Sequence, residues 1–493
     1  MERLKIKVGM DLSRIENFKD AVVTVMGLGI YKQGSGLGTA KWLMRHGAQT
    51  VITDLKDTTE LKESVDLVME WYNKYREMYP DRTIYQPVFV LGEHRKEDFE
   101  NVDVVVQNPG VPSESEYIQA AKAKGVHIES DVSLFFRYYH YPVSAVTGTK
   151  GKTTTTLLLG EMFKGLDPKA IVAGNIRISP LEFLDELLEH NASTPIVLEL
   201  SSWMLESLPG AFVELKHGPD IAVLTNVFPD HLNRYASYED YQKSKEIIFQ
   251  YQRADQFTVL NKDHELVRSM AARVHGQLFW FSKNYEAQNG CYVKEGDIVF
   301  HRDGDEFTIL PLKDVALGGE HNLENVLSAT CAAMLRGVTV EVIAKVLKEF
   351  KGVPDRQELI REVDEISFIN DTAATAPDAV VAAMKRFGDK EHLIVIAGGV
   401  DKKLVYDTMA EALIQNTKAV IMFPGTASDI LREKIAGKVT MHTADSMKEA
   451  VQKARSLAKT GDTVILSPGA SSFNMFKNEF DRGEQFREEV RNL

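Results

Sequence analysis

Residues 144–154 read Ser144-Ala145-Val146-Thr147-Gly148-Thr149-Lys150-Gly151-Lys152-Thr153-Thr154. An apolar run enters a glycine-rich turn, and a lysine and threonines lead into the helical pattern Thr155–Phe163. Strand, loop and helix in that order make a phosphate cradle. Glycines let backbone N–H groups converge on phosphate oxygens, and the helix N-terminus adds partial positive charge. The loop Gly148, Thr149, Lys150, Gly151 is expected to wrap the phosphates of ATP. Lys152 is placed to reach the β/γ-phosphates, Thr153 offers a hydroxyl to Mg2+, and Thr154 continues the helix start. The strict pattern GxxxxGK[ST] needs glycine at 146, where this chain has Val146, so the loop is a variant. A plain glycine turn capped by threonines is the competing reading.

On either side of this loop, short β-branched runs alternate with amphipathic stretches. The runs include Val22–Met26, Val51–Ile52, Val102–Val106, Val143–Val146, Ile196–Leu200, Ile221–Leu224, Leu393–Ala397, Ala419–Phe423 and Thr463–Leu466. Most are continuous rather than alternating, as in strands covered on both faces. The pattern predicts an α/β protein with mainly parallel sheets. Joints near Tyr138–Pro142 and Lys351–Pro354 divide it into domains 1–140, 141–352 and 353–493. The stretch Asn284–Pro311, rich in Gly, Asp and Thr, reads as a hairpin-bearing insertion in the middle domain.

The chain has 493 residues, and 58 Lys+Arg against 71 Asp+Glu give a net charge of −13. That length suits about three domains. The acidic balance argues against a nucleic-acid partner but not against small polyanions, which need only a few placed cations. Two isolated cysteines, Cys291 and Cys331, argue against a disulfide framework or a clustered zinc site. No apolar run reaches the ~18 residues that span a bilayer, and no export signal is seen. A cytoplasmic protein with no membrane partner is expected, and a monomer.

Several residues carry chemistry by themselves. Glu199 ends the run Ile196–Leu198, where α/β strand ends face ligands. It is a hard oxygen donor suited, with Thr153, to Mg2+, or else a solvated strand-end carboxylate. His231 follows Asp230, and a loop or capping role fits it as well as a metal. Tyr241, Lys245, Ile248 and Phe249 share one helix face. Lysine is rarely buried unpaired, so Lys245 is either functional or snorkels along that face. Gly27-Leu28-Gly29 follows a strand, but the third glycine of GxGxxG falls at Lys32, which makes an NAD enzyme the poorer reading.

The form TGTxGKTT, in a chain of this organisation, resembles the Mur ligase family, the ATP-dependent amide ligases of peptidoglycan synthesis. Further matches fall in order. Gly174-Asn175 resembles the turn after the phosphate-loop helix, and Glu199-Leu200-Ser201-Ser202 with Glu206 the ELSSxxLE strand end. Thr225-Asn226 and Asp230-His231 with Arg234-Tyr235 resemble TNxxxDHxxRY. His321-Asn322 with Asn325 gives HNxxN, and Leu466-Ser467-Pro468 runs on through Phe473 and Phe476 to Arg482-Gly483 and Phe486. There are departures: Asp355 replaces a histidine before Arg356, Asn474 an aspartate, and Ala373 a lysine.

The resemblance implies three α/β domains. The Rossmann-like N-terminal domain would hold the UDP-substrate through Gly29, Asp54, Lys56, Asn108 and Gly110, with Asn175 from the next domain. The central P-loop domain would bind ATP and two Mg2+ ions. One ion would take Thr153 and Glu199, and the other His231 and Lys245, the latter as a carbamate. Asn322 and Asn325 would hydrogen-bond adenine. The Rossmann-like C-terminal domain would add Arg356 and Asp371 to the nucleotide on closing, and Thr375, Lys402, Ser467 and Phe473 to an amino acid. The implied reaction adds D-glutamate to UDP-N-acetylmuramoyl-L-alanine through an acyl phosphate, with Lys152, Glu199, His231 and Lys245 as the catalytic group. Ala373 leaves L-glutamate or another amino acid open. A folylpolyglutamate synthetase, which lacks the N-terminal domain, and a non-catalytic nucleotide-binding protein are the rivals.

Overall fold

The computed structural model describes residues 10–112, 114–189, 194–230, 234–401, 404–472 and 475–493, without the side chains of 320 and 321. His231, Lys402 and Phe473 therefore lie outside the described residues.

Three sheets organise the chain. The first holds β1 (Val22–Met26), β2 (Gln49–Asp54), β3 (Val88–Leu91), β4 (Val104–Gln107) and β5 (His127–Glu129) in the order β3-β2-β1-β4-β5. All its pairings are parallel. Every residue of β1 is buried, because helices cover both faces of a doubly wound sheet. The order reverses between β1 and β4, and a crevice opens at such a switch point beyond the strand ends.

The second sheet contains β6 (Val143–Thr147), β7 (Ile171–Gly174), β8 (Ile196–Glu199), β9 (Ile221–Leu224), β10 (Phe257–Asn261), β11 (Gln277–Ser282), β12 (Gly290–Lys294), β13 (Asp297–Arg302) and β14 (Asp305–Pro311). Its order is β14-β13-β12-β11-β10-β9-β6-β8-β7. From β7 to β12 the pairings are parallel. The stretch expected as an insertion is instead the sheet's own edge. β12 adds parallel to β11, and β13 and β14 then fold back antiparallel. Tight turns at Gly296 and Gly304 make that meander possible.

The third sheet runs β15 (Glu358–Val363), β16 (Ile366–Asn370), β20 (Thr463–Leu466), β17 (Leu393–Ala397), β18 (Ala419–Met422), β19 (Thr440–Thr443). Only β15 pairs antiparallel. Separate apolar clusters fill its two faces, one around Val395 and Leu413 and the other around Ile396 and Phe486.

The chain forms two compact units. The first runs to Val315 and takes up Glu320–Glu349, so it holds the first two sheets. The second comprises Ala316–Gly319 and Phe350–Leu493. Within the first unit one apolar cluster runs from Phe18 and Trp42 through Phe135 to Leu198 and Phe249. Among the described residues no helix is long and apolar enough to cross a membrane.

Candidate active site

The loop between β6 and the helix Lys152–Phe163 carries two glycines with left-handed backbones, Gly148 at φ +152° and Gly151 at φ +83°. A Cβ on Gly148 would lie 1.9 Å from Thr225 Oγ1, and one on Gly151 2.2 Å from Asn325 Oδ1. Glycine is thus required twice, by backbone angle and by space.

The loop is held from behind. Asn226 Oδ1 accepts from Lys150 N at 2.8 Å and its Nδ2 donates to Lys150 O at 3.1 Å. Thr225 Oγ1 donates to the same carbonyl at 2.7 Å. Thr225-Asn226, quoted in the sequence as a motif without a role, is therefore a brace for the phosphate loop. Lys152 Nζ donates to Gly148 O and Thr149 O, both at 3.0 Å. The amine is folded over the loop it serves.

Asn322 and Asn325 are both buried. Asn325 Nδ2 donates to Asn322 Oδ1 at 3.2 Å, and Asn325 Oδ1 accepts from Thr155 at 3.3 Å. The Asn325 carboxamide thus ties the helix Glu320–Arg336 to the phosphate-loop helix.

Beside the loop, β8 delivers Glu199, only 1% exposed. Asn175 Nδ2 donates to its Oε1 at 2.7 Å, while Oε2 is buried with no hydrogen-bond partner. Asn175, expected at the UDP-substrate, orients this carboxylate. The two meet because β7 and β8 pair with Gly174 opposite Glu199.

Lys245 is equally buried, at 1% exposure, in the helix Tyr238–Gln250. Burial pushes its amine well below the usual lysine range, and the Lys152 charge adds to this; Asp230 and Glu199 oppose it. Its Nζ lies 4.9 Å from the centre of the Tyr241 ring, and the Tyr241 hydroxyl lies 3.0 Å from Thr149 Oγ1. The apolar helix face read from the sequence is real, and it carries an amine whose proton is held less tightly than an ordinary lysine's.

An orphaned carboxylate oxygen suits a hard cation, and Thr153 stands in the first turn of the phosphate-loop helix as a candidate second oxygen donor. Among the described residues no three His, Cys, Asp or Glu side chains form a ready-made cage. Mg2+ fits such a site, since it is commonly held by one or two carboxylates together with substrate phosphates.

At the switch point of the first sheet, Gly29 N donates to Asp54 Oδ2 at 3.1 Å and Lys56 N to Asp54 Oδ1 at 3.0 Å. Across the crevice Asn108 Nδ2 donates to Gly27 O at 3.3 Å, and Gly110 N to Asn108 Oδ1 at 3.1 Å. The two turns are thereby locked side by side, with Lys56 exposed at the rim.

In the second unit Asp371 follows β16 and Ser467 follows β20, and these strands are neighbours. Ser467 Oγ donates to Asp371 Oδ2 at 2.7 Å, and Gln357 N donates to Oδ1 at 3.2 Å. Burial raises the Asp371 carboxyl to about 7, against the lowering effect of these bonds. Arg356 is exposed and Thr375 half-buried. Asp355 sits in an ion cluster, 2.8 Å from Arg487, which also meets Glu358. Arg482 is fully buried and donates to Thr372 and Ala470.

Known proteins share this arrangement. The family description "Mur ligase MurD-like, N-terminal domain" matches residues 21–130, "Mur ligase middle domain" 146–333, and "Mur ligase, glutamate ligase domain" 355–469. The UDP-N-acetylmuramoylalanine–D-glutamate ligase of Roseiflexus sp. (strain RS-1) is 41% identical over 475 residues, covering 94% of this chain and 97% of that protein. The chain belongs to the Mur ligase family. Another member, the ligase of the same name from Thermoanaerobacter pseudethanolicus, is 36% identical over 96% of this chain and 99% of its own. Among solved Mur ligases, the UDP-N-acetylmuramate–alanine ligase of Thermotoga maritima aligns with a TM-score of 0.56 at 20% identity, covering 96% of this chain and 99% of its own. A pseudomurein peptide ligase from Methanothermus fervidus gives 0.54 at 18%, with the same coverage. These two likenesses concern the fold. As a Mur ligase the chain is an ATP-dependent enzyme with three α/β domains.

Proposed function

We propose that this Mur ligase joins D-glutamate to UDP-N-acetylmuramoyl-L-alanine, releasing ADP and phosphate. The substrates follow from the names of relatives 33–41% identical over nearly the whole chain. The chemistry rests on one observation: a buried lysine pushed toward neutrality and a carboxylate with an unpaired buried oxygen, both beside a phosphate loop.

A carboxylate is a poor acyl donor. Its oxygen attacks the γ-phosphorus of ATP, the bond to ADP breaks, and an acyl phosphate forms. The glutamate amine then attacks the acyl carbon, phosphate leaves, and the amine gives up a proton. Gly148–Thr154 hold the triphosphate, with Lys152 on the β/γ-phosphates. Two Mg2+ ions, held by Thr153 with Glu199 and by His231 with a carbamylated Lys245, would supply charge neutralisation as the phosphoryl group moves. Carbamylation joins CO2 to a neutral amine, and burial supplies that neutral form. Asn175 keeps one oxygen of Glu199 occupied and leaves the other free. The crevice of the first sheet takes the UDP moiety through Gly29, Asp54, Lys56, Asn108 and Gly110. In the second unit Thr375, Lys402, Ser467 and Phe473 receive the amino acid. The reaction belongs to cell-wall precursor synthesis in the cytoplasm.

Phosphate release is the test, with ATP, Mg2+, UDP-N-acetylmuramoyl-L-alanine and a panel of D- and L-amino acids. Release with D-glutamate is expected. Release with L-glutamate alone would overturn the stereochemistry, and none with any amino acid would overturn the ligase reading.

A further inference from the structure

We propose that Tyr31, Gln33 and Arg177 form a strap between the glycine turn of the first sheet and Asn175, through which the UDP-substrate, on filling that turn, fixes the aim of Glu199. All three are positioning residues. The inference rests on the reading of both sites given above and deepens it.

The strap begins where the glycine fingerprint breaks. The chain runs on from Gly29 through Tyr31-Lys32-Gln33 before it reaches Gly34, and this extra length crosses to the central sheet's domain. Gln33 pairs with Ile178 as a short parallel bridge, and Ile178 pairs antiparallel with Gly174. Hydrogen bonds follow the same line. Ser179 N donates to Gln33 O and Gly174 N to Ile178 O, both at 2.7 Å. Asn175 comes next, and its N donates to Glu199 O at 2.8 Å while its Nδ2 donates to Glu199 Oε1 at 2.7 Å. A continuous run of bonds therefore leads from the glycine turn to the carboxylate whose other oxygen has no partner.

Side chains secure the crossing. The Arg177 guanidinium lies 4.6 Å from the centre of the Tyr31 ring, a cation over a π-face. Arg177 has φ +72°, a backbone that side chains other than glycine's seldom adopt. Glycine would suit that turn better, so what arginine adds is its contact with Tyr31. Ser179 Oγ donates to Asp131 Oδ2 at 2.8 Å. Asp131 follows β5 and is 1% exposed, so the first sheet's domain grips the same segment twice. Asn175 is itself exposed; its aim is set by the backbone of this segment and not by packing around it.

Binding at one site then favours binding at the other. Calorimetric titration of the full chain with UDP-N-acetylmuramoyl-L-alanine, alone and with Mg2+ and the non-hydrolysable ATP analogue AMP-PNP, reads that linkage. In the wild type each ligand should tighten the other by at least about fivefold. R177G and Y31A should bring the linkage to within about twofold of none, with Mg2+–AMP-PNP alone binding as before, and Y31F, which keeps the π-face, should retain it. R177G should melt no lower than wild type, because glycine accepts the backbone angle. Unchanged linkage in R177G and Y31A overturns the proposal. So does a weaker UDP-substrate with linkage intact, which marks a direct ligand contact, and so does a lower melting temperature with equal loss of both ligands, which marks a structural role. A wild type that binds each ligand without linkage overturns the strap alone, whereas one that binds neither overturns the ligase reading itself.

Discussion

At the scale of single residues, Glu199 and Lys245 are costly to place where they are. A buried carboxylate oxygen without a partner destabilises a fold, so Glu199 is not there for stability. The substitution Glu199→Gln removes the charge but keeps the shape and the Asn175 contact. Phosphate release should fall by at least about 100-fold, roughly 2.7 kcal/mol of barrier, while the melting temperature holds or rises. A Glu199→Gln protein that melts lower and turns over normally would mean the carboxylate is structural. Lys245→Ala should lose most activity and recover part of it with formate or acetate, which replace a carbamate's oxygens; full activity without rescue would refute the carbamate. Lys245 was legible in the sequence because its spacing from Tyr241, Ile248 and Phe249 put a cation on an apolar face. The Asn175–Glu199 contact was not, since it depends on which strands pair, and β7 and β8 are joined across a helix and some twenty residues.

At the scale of elements, the phosphate loop is the part the sequence describes best, because glycine, lysine and threonine are each forced by local geometry. Gly151→Ala places a Cβ 2.2 Å from Asn325 Oδ1 at φ +83°. It should cost at least about 1 kcal/mol in backbone strain alone and weaken ADP binding in titration. Shortening the neighbour, as in Gly151→Ala with Asn325→Ala, should recover part of the stability but not the strain. The apolar runs at Val22, Val143, Ile196, Ile221, Leu393 and Thr463 all fall on strands, since parallel strands buried on both faces read as continuous hydrophobic stretches. β5, with three residues, and β19, at a sheet edge, lack such runs. The β16–β20 end carries its own prediction. The Asp371 carboxyl is raised to about 7 from an ordinary value of 3.8, so the folded protein binds this proton more tightly than the unfolded chain. Its stability contribution is full below the unfolded value and is lost as pH rises toward 7, by roughly 4 kcal/mol. Asp371→Asn should therefore melt higher than wild type at pH 8 and gain nothing at pH 4. A constant difference between those two pH values would show that the buried proton is not responsible.

At the scale of the whole molecule, the first two sheets share one unit and one apolar cluster, and a carboxylate gathers donors across their boundary. Asp185, in the helix Leu181–Glu189 of the central sheet's domain, accepts from Trp42 Nε1 at 3.1 Å, pairs with His46 at 2.9 Å, and bonds Arg45, all three from the end of the helix Ser35–Arg45 and its cap. Nothing in the spacing of either segment announces this contact, which joins residues about 140 positions apart. Burial by itself would raise the Asp185 carboxyl, but His46 and Arg45 outweigh it and hold the group below its ordinary 3.8. The sign is then opposite to that of Asp371: the contact stabilises above the unfolded value and is lost as pH falls through the folded one. Asp185→Asn keeps the size of the side chain and one acceptor but leaves Arg45 without its counter-charge. It should cost roughly 2 kcal/mol at pH 7, read as a lower denaturation midpoint at unchanged slope. As pH falls through the folded value the gap from wild type should close, because the wild-type carboxyl is then itself protonated. A gap that persists undiminished through that range would mean that shape, and not charge, joins the two domains. In the proposed reaction the UDP-substrate spans this boundary, with its nucleotide on the first sheet and its carboxylate near Glu199. The same substitution should therefore raise the KM for that substrate more than the KM for ATP, whose phosphate loop lies wholly on the second sheet.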